Sequence, residues 1–211
     1  SCFTQNSTLN TQNSLEGKML SPELETEVAA LAGRYGAPRR VSADVASETF
    51  EPLSLSDRFG EVCMVVRRPS GCIITAIKTF YPPGAFRLMT GGIHHGESIE
   101  AALLREVREE TGLDVEVRRF LAVVEYNGSH PFATFAFLLD EVGGSLGPID
   151  SAEQIGTYRE IELGELPALA ETLEQCHTMG TPERIGSWRD WGAFRAIIHR
   201  VVYEVLCEDA A

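Results

Sequence analysis

The chain has 211 residues, 44% of them apolar, and carries a formal net charge of -13 at neutral pH. A chain of this length and apolar content can bury a full core and fits one domain with an extension. The acidic balance argues against nucleic-acid polymers as partners, because their binding depends on clustered Lys and Arg, and no apolar run approaches the length of a membrane span. The cysteines number five and form no CxxC pair, which predicts reduced thiols in a cytoplasmic protein.

The first predicted element is a helix that follows Ser21. Ser21 suits the N-cap, Pro22 suits the first helical position, and Gly36 follows the expected end. The residues before it are rich in Ser, Thr, Asn and Gln and lack the apolar centre of a signal peptide. The sequence therefore predicts three parts: a polar leader at 1–20, a helix with a linker at 21–60, and a main domain at 61–211.

The main domain is predicted to begin with a β-hairpin formed by residues 62–67 and 72–79. Two further strands are predicted at 115–126 and 132–139, after a central helix. The chain ends with a predicted helix at 187–206, whose wide apolar face suits packing on the sheet or, alternatively, a homodimer contact. Strands with helices before, between and after them predict a layered α/β domain.

The central helix, residues 98–111, places three carboxylates on an unexpected side. Its apolar stripe has the spacing of a core-facing surface and consists of Ile99, Ala102, Leu103 and Val107. Glu106, Glu109 and Glu110 fall in an arc of about 100° that overlaps this stripe, so they are predicted to point along or towards the protein body. Like charges at these spacings repel, and the C-terminal end of a helix disfavours anions, so a cation is expected nearby.

Two sources of that positive charge are open. Arg105 and Arg108 adjoin the acids in sequence, although on a helical wheel both point away from them. Local ion pairs on a solvated face are therefore one alternative. The other is a divalent cation such as Mg²⁺, which takes oxygen ligands and keeps substrate phosphates in its shell. The placement of the acids on the apolar side favours the cation.

Glycines precede this helix in what reads as a short loop. Gly91, Gly92 and Gly96 allow positive φ and close approach of a ligand to the backbone, and a helix N-terminus offers N–H groups to anions. Gly91 and Gly92 are therefore candidate substrate-binding residues. His94 and His95 read as exposed loop residues rather than phosphate contacts.

Residues 91–113 read GGIHHGESIEAALLREVREETGL and contain a complete Nudix box, so the chain resembles the Nudix hydrolases. The nine positions that match the box are Gly91, Glu97, Arg105, Glu106, the aliphatic Val107, Glu109, Glu110, Gly112 and the aliphatic Leu113. The resemblance is looser over residues 62–167 and implies an α/β/α sandwich with a mixed β-sheet, to which the N-terminal helix is an extension. It also implies a hydrolase that requires Mg²⁺ or Mn²⁺ and cleaves a diphosphate bond in a nucleoside diphosphate linked to another group.

The resemblance assigns roles within the box. Glu106 and Glu110 are implied as metal ligands, and Glu109 as a third ligand or a general base. Arg105 is implied as a catalytic-site residue that pairs with Glu97 and holds the glycine segment against the helix. These roles suit metal-assisted attack of water on a diphosphate.

Further site residues are expected outside the box. The residue before the box, Thr90, can lend its backbone carbonyl to the metal. An acid from residues 150–161 is expected to complete the site, and Glu153 is chosen over Asp150 and Glu160. Arg87 is a candidate substrate contact, with pairing to a surface acid as the alternative.

The substrate is predicted only by class. Pro131 lies late in the window where a proline marks ADP-ribose hydrolases of this family, which leans the prediction to ADP-ribose or a nucleotide sugar. The alternatives are a catalytically silent ligand-sensing module, a nucleoside triphosphate pyrophosphohydrolase, and an isomerase of isoprenoid diphosphates, which needs a sheet cysteine such as Cys63 or Cys72. The intact box favours the hydrolase acting on a small molecule.

Overall fold

The computed structural model describes residues 20–44, 58–127, 132–176 and 187–208. Short 3-10 turns lie at Ser151–Glu153 and Leu163–Glu165. The helices and strands are, in chain order, α1 Pro22–Tyr35, β1 Arg39–Asp44, β2 Arg58–Arg67, β3 Ile73–Lys78, β4 Met89–His94, α2 Ile99–Thr111, β5 Leu113–Asn127, β6 Phe132–Gly144, β7 Ile155–Ile161, α3 Leu166–Glu174 and α4 Trp188–Glu208.

The strands form one mixed sheet in the order β1-β5-β6-β2-β3-β7, and β4 pairs with β2 beside this path. The pairs β1–β5 and β2–β6 are parallel, and the other pairs are antiparallel. Buried residues of α1 and α2 share a core with one face of the sheet, and those of α3 and α4 share a core with the other face. The predicted α/β/α sandwich with a mixed sheet is therefore confirmed.

Local sequence signals fix several element boundaries. The hydroxyl of Ser21 accepts a hydrogen bond from the backbone N–H of Leu24, α1 starts at Pro22, and Gly36 follows its end with φ of 87°. The hairpin predicted at 62–67 and 72–79 is present as β2 and β3. Within the described residues, no helix combines the length and the apolar character needed to cross a membrane.

The segment predicted as a linker contains a strand that the sequence did not indicate. Strand β1 pairs in parallel with β5 along the edge of the sheet, from Arg39 opposite Ala122 to Asp44 opposite Asn127. Its residues alternate between half-buried and exposed, because an edge strand covered on one side needs few large apolar residues. Nearly all of the leader at 1–20 lies outside the described residues, and the domain boundaries stay a prediction.

Side chains of helix α1 form hydrogen bonds with the first turn of α2. A carboxylate oxygen of Glu27 accepts a hydrogen bond of 2.6 Å from the backbone N–H of Ile99. Glu100 receives Arg34 at 2.8 Å and the hydroxyl of Tyr35 at 2.5 Å. The N-terminal extension therefore fixes the first turn of the helix that carries the acids.

The apolar face of α4 packs inside the protein. Trp188 and Trp191 are buried, and both rings contact the ring of Tyr81. Phe194 lies 4.7 Å from Tyr126, measured between ring centroids. Because the sheet covers this face, the homodimer stays a prediction that the face does not support.

Candidate active site

Strand β4 and helix α2 meet through a glycine. Gly91 and Gly92 lie in β4, opposite Val62 and Glu61 of β2, rather than in the predicted loop. Positive φ was expected to be possible at three glycines; Gly96 adopts it, with a φ of 84°, whereas Gly91 and Gly92 in β4 do not. A Cβ atom on Gly91 would lie 1.9 Å from the carboxyl carbon of Glu106. Glycine is needed at this position for close approach, because the Glu106 side chain occupies the space beside it.

Helix α2 turns its acids inward, as predicted. Ser98 caps its start by accepting from the backbone N–H of Ala101, and Gly112 ends it with φ of 64°. Glu106 is 6% exposed and Glu110 is 1% exposed. Glu109 is half-buried and lies nearer to solvent than the other two.

Arg105 is directed differently from the helical-wheel prediction. It contacts the acids instead of pointing away: Nη1 lies 2.9 Å from Glu106 and 3.0 Å from Glu109. Nε and Nη2 donate to the two carboxylate oxygens of Glu97, and Nη2 also donates to the carbonyl of Gly92. The pairing with Glu97 is the one implied by the resemblance. A wheel places the Cβ atom, whereas the long arginine stem bends back so that its planar head serves several acceptors.

Carboxylates from two distant segments come together. One oxygen each from Glu106, Glu109 and Glu153 lie within 4.8 Å of one another. Glu153 reaches the cluster from the 3-10 turn before β7, whose N-cap Asp150 accepts from the backbone N–H of Ala152. Asp150 and Glu153 line the same cleft of about 610 Å³. Glu160, in β7, pairs instead with Arg68, which directly follows β2.

Glu110 lies beside this cluster, and its carboxylate is buried without hydrogen bonds to the described residues. Neither of its carboxylate oxygens has a hydrogen-bond partner in the described part of the chain. The Nζ atom of Lys78 lies 3.3 Å from one of them, an ion pair without hydrogen-bond geometry, and 2.8 Å from Glu153. Burial raises the pKa of Glu110 to about 7 against the opposing charges of Lys78 and Arg87. Burial also raises the pKa of Glu106, although Arg105 opposes the shift.

The donor set fits a hard divalent cation. Buried carboxylate oxygens without donors are costly unless a positive charge faces them, and Mg²⁺ or Mn²⁺ prefers such oxygens beside an open cleft. Thr90 lies in β4 directly before Gly91, and its hydroxyl accepts from Arg87 at 3.0 Å. Metal binding by the carbonyl of Thr90 stays a prediction.

Arg87 lies in the interior rather than at a strand edge. It is 4% exposed, and its guanidinium donates to the hydroxyl of Tyr81, the carbonyl of Leu88 and the hydroxyl of Thr90. Burial acts to lower the pKa of Arg87, but Tyr81 and Glu110 outweigh it and the pKa is raised. The alternative of a surface acid as its partner is wrong. Its role as a substrate contact stays a prediction that this placement does not favour.

Two basic residues at the site escaped the sequence reasoning. Lys78 ends β3 and touches the acids, and Arg58 begins β2 and lines the cleft together with His94. A Cβ atom on Gly92 would lie 2.4 Å from Cδ of Arg58, so this glycine makes room for a side chain of the protein. The sequence offered one indication of Lys78: lysine is rare in this chain, and Lys78 is one of only two.

Comparison with known proteins gives a consistent result. A family model described as "NUDIX domain" matches residues 57–178. An ADP-ribose pyrophosphatase of Methanocaldococcus jannaschii is 36% identical over 90 residues, which cover 41% of this chain and 52% of the relative. The NAD-capped RNA hydrolase NudC of Vibrio atlanticus is 35% identical over 92 residues, which cover 41% of this chain and 32% of the relative.

These matches are partial in length. The chain spans about half or less of the curated relatives it matches. Among solved structures, a UDP-X diphosphatase superposes with a TM-score of 0.45 at 16% identity, over 71% of this chain and 64% of that one.

Proposed function

This chain belongs to the NUDIX domain family, and from that premise we propose that it is a metal-dependent pyrophosphatase. Its proposed reaction is hydrolysis of the diphosphate bond in a nucleoside diphosphate linked to another group. The observation that carries the proposal is the convergence of Glu106, Glu109 and Glu153, with buried Glu110 beside them. An ordinary charged helix face would send these acids into solvent.

The proposed ligands of Mg²⁺ or Mn²⁺ are Glu106, Glu109, Glu110 and the carbonyl of Thr90, with Glu153 as the acid from outside the box. Such an ion, when bound, supplies charge that stabilises the phosphoryl oxygens and lowers the pKa of an attacking water. Among the carboxylates of α2, Glu109 has the most exposed side chain, which suits it either as a ligand at the cleft or as the base that takes the water proton.

The remaining residues position these groups. Arg105 ties Glu97, Glu106 and Glu109 to the carbonyl of Gly92, and thereby fixes the acids relative to the strand. The proposed substrate lies in the cleft that Arg58 lines, where a guanidinium suits a phosphate oxygen.

The proposed substrate is ADP-ribose or a nucleotide sugar. Relatives are named for ADP-ribose and for NAD-capped RNA, and both ADP-ribose and NAD contain a diphosphate that joins adenosine to a second group. NAD-capped RNA is therefore a second candidate, although the net charge of -13 opposes a long polyanion. Pro131, the marker residue, lies outside the described residues.

Two alternatives are less well supported. The isomerase requires a reactive sheet cysteine, yet Cys63 is fully buried in the core and burial raises the pKa of its thiol. A silent sensing module would not need the converging acids. A cytoplasmic location stays our proposal, in keeping with free thiols at Cys63, Cys72, Cys176 and Cys207.

The test is hydrolysis of a substrate panel in Mg²⁺ or Mn²⁺. The panel contains ADP-ribose, nucleotide sugars, NAD-capped RNA, dinucleoside polyphosphates and nucleoside triphosphates. Glu106→Gln and Glu110→Gln are expected to lower kcat on the best substrate by on the order of 10²-fold or more. Glu174→Gln, which removes an exposed acid paired with Arg200, is the matched control. Parent-like turnover in both site variants would refute the site, and a parent inert on the whole panel would favour the sensing module.

A further inference from the structure

A lysine ammonium lies inside the acidic cluster. Lys78 Nζ is 2.8 Å from an oxygen of Glu153 and 3.3 Å from an oxygen of Glu110, and its side chain is 17% exposed. Glu153 also belongs to the group of three carboxylates whose oxygens lie within 4.8 Å of one another. The ammonium therefore contacts two carboxylates of the proposed metal site, Glu110 and Glu153.

The backbone holds Lys78 in this position. Lys78 pairs with Ile155 at the end of β3, after a register shift that separates it from Ile77. The next residue, Thr79, donates its backbone N–H to the carbonyl of Gln154 at 2.9 Å. Lys78 and Glu153 are thus anchored to the same short stretch of paired backbone, so their contact is built into the fold.

The cluster remains anionic even with this lysine. The groups joined by these ion pairs carry a formal charge of -3, because the two cations Arg105 and Lys78 pair with five carboxylates, Glu97, Glu106, Glu109, Glu110 and Glu153. One divalent ion would bring the total to -1 and two would bring it to +1. Without Lys78 the same residues would carry -4, and buried Glu110 would lose the ammonium beside it.

We propose that Lys78 is a built-in cation of the metal site, which holds Glu110 and Glu153 where a further divalent ion would otherwise bind. The inference rests on the proposed function, since it requires that these carboxylates bind a divalent ion. An ammonium and a metal ion compete for the same carboxylate oxygens, because both are compact positive charges. Lys78 therefore keeps the acids assembled in the metal-free protein and limits the number and affinity of the ions they accept.

The test is Mn²⁺ binding without substrate, measured by electron paramagnetic resonance on the metal-stripped chain. Lys78→Met is expected to bind Mn²⁺ at least tenfold more tightly, or to bind one more ion per chain. Lys78→Arg keeps the charge and is expected to stay within threefold of the parent affinity. Arg159→Met makes the same change in net charge at an exposed pair with Glu165, and it too is expected to stay within threefold.

Thermal unfolding supplies a second measurement. Metal-free Lys78→Met is expected to unfold at a lower temperature than the parent, and saturating Mn²⁺ is expected to raise its Tm by more than it raises that of the parent. Equal or weaker Mn²⁺ binding by Lys78→Met would overturn the inference and leave the proposed function intact. Failure of this variant to fold in saturating Mn²⁺ would also overturn it, because an ion in the place of the ammonium should restore the fold. A parent chain that binds no Mn²⁺ would instead remove the proposed function itself.

Discussion

Replacing Gly91 by alanine tests the close approach between β4 and α2. The added methyl group would lie 1.9 Å from Cδ and 2.1 Å from Cγ of Glu106, whereas ordinary van der Waals contact begins at 3.4 Å. The methyl group and the Glu106 side chain would therefore have to move apart by about 1.5 Å, although Gly91 lies in the packed strand β4 and Glu106 in the packed helix α2. The Glu106 carboxylate must therefore leave its present position.

The cost of this shift can be estimated. Overpacking of a well-packed interior lowers the free energy of unfolding by about 1–3 kcal/mol. A misplacement of about 1 Å in a catalytic group lowers turnover by on the order of 10²-fold. Gly91→Ala is therefore expected to lose most activity while remaining folded.

Urea unfolding, Mn²⁺ affinity and kcat on the best substrate measure these effects. Gly33→Ala is the matched control, because a Cβ atom there meets nothing within 4 Å and the residue lies in α1. The control is expected to raise the free energy of unfolding by roughly 0.5–1 kcal/mol and to leave kcat unchanged. If Gly91→Ala retained the parent's Mn²⁺ affinity and kcat, the position of Glu106 would not matter and the reasoning would be wrong.

Three further predictions concern stability. Because burial raises the pKa of Glu110 from 4.5 to about 7, its contribution to metal-free stability is full below about 4.5 and is lost as the pH rises through about 7. In urea unfolding with EDTA, the free energy of unfolding of the parent should fall by up to about 3 kcal/mol more than that of Glu110→Gln as the pH rises from 4.5 to 8. Parallel pH profiles of the two proteins would contradict this. Gln154, with φ of 52°, is the non-glycine residue in the left-handed region among the described residues, so Gln154→Gly is expected to raise the free energy of unfolding by up to about 1 kcal/mol; a lower Tm would count against it. Glu27→Ala removes the acceptor for the N–H of Ile99 and should cost about 1–2 kcal/mol in urea unfolding, whereas an unchanged midpoint would show that water replaces it.

Local signals in the sequence predicted the elements on which the site is built. The limits of α1 follow from Ser21 and Pro22, because capping is decided within one turn of chain. The inward direction of Glu106 and Glu110 follows from helical periodicity, since both overlap the apolar stripe of α2. Such features depend on neighbours in sequence and can be read from it.

Features that depend on long side chains or distant segments could not be read in this way. Arg105 contacts acids that a wheel places on another side, because its stem spans several residues. Lys78 meets Glu153 across 75 positions, through a pairing of strands that no local pattern specifies. Arg87 resembled a surface residue in sequence, whereas its interior position depends on the hydroxyl of Tyr81 and on nearby backbone.

The parallel pairing of β1 with β5 has a consequence for any shortened form of the chain. A fragment cut to residues 57–178 would lack β1, and the long strand Leu113–Asn127 would present unpaired amides and carbonyls to solution. It would also lack α4, and the loss of this helix would expose the apolar face of the sheet that contains Leu121. Open strand edges beside uncovered apolar surface recruit other chains, so such a fragment is expected to aggregate. The smallest piece able to fold alone is therefore larger than the stretch by which the family is recognised.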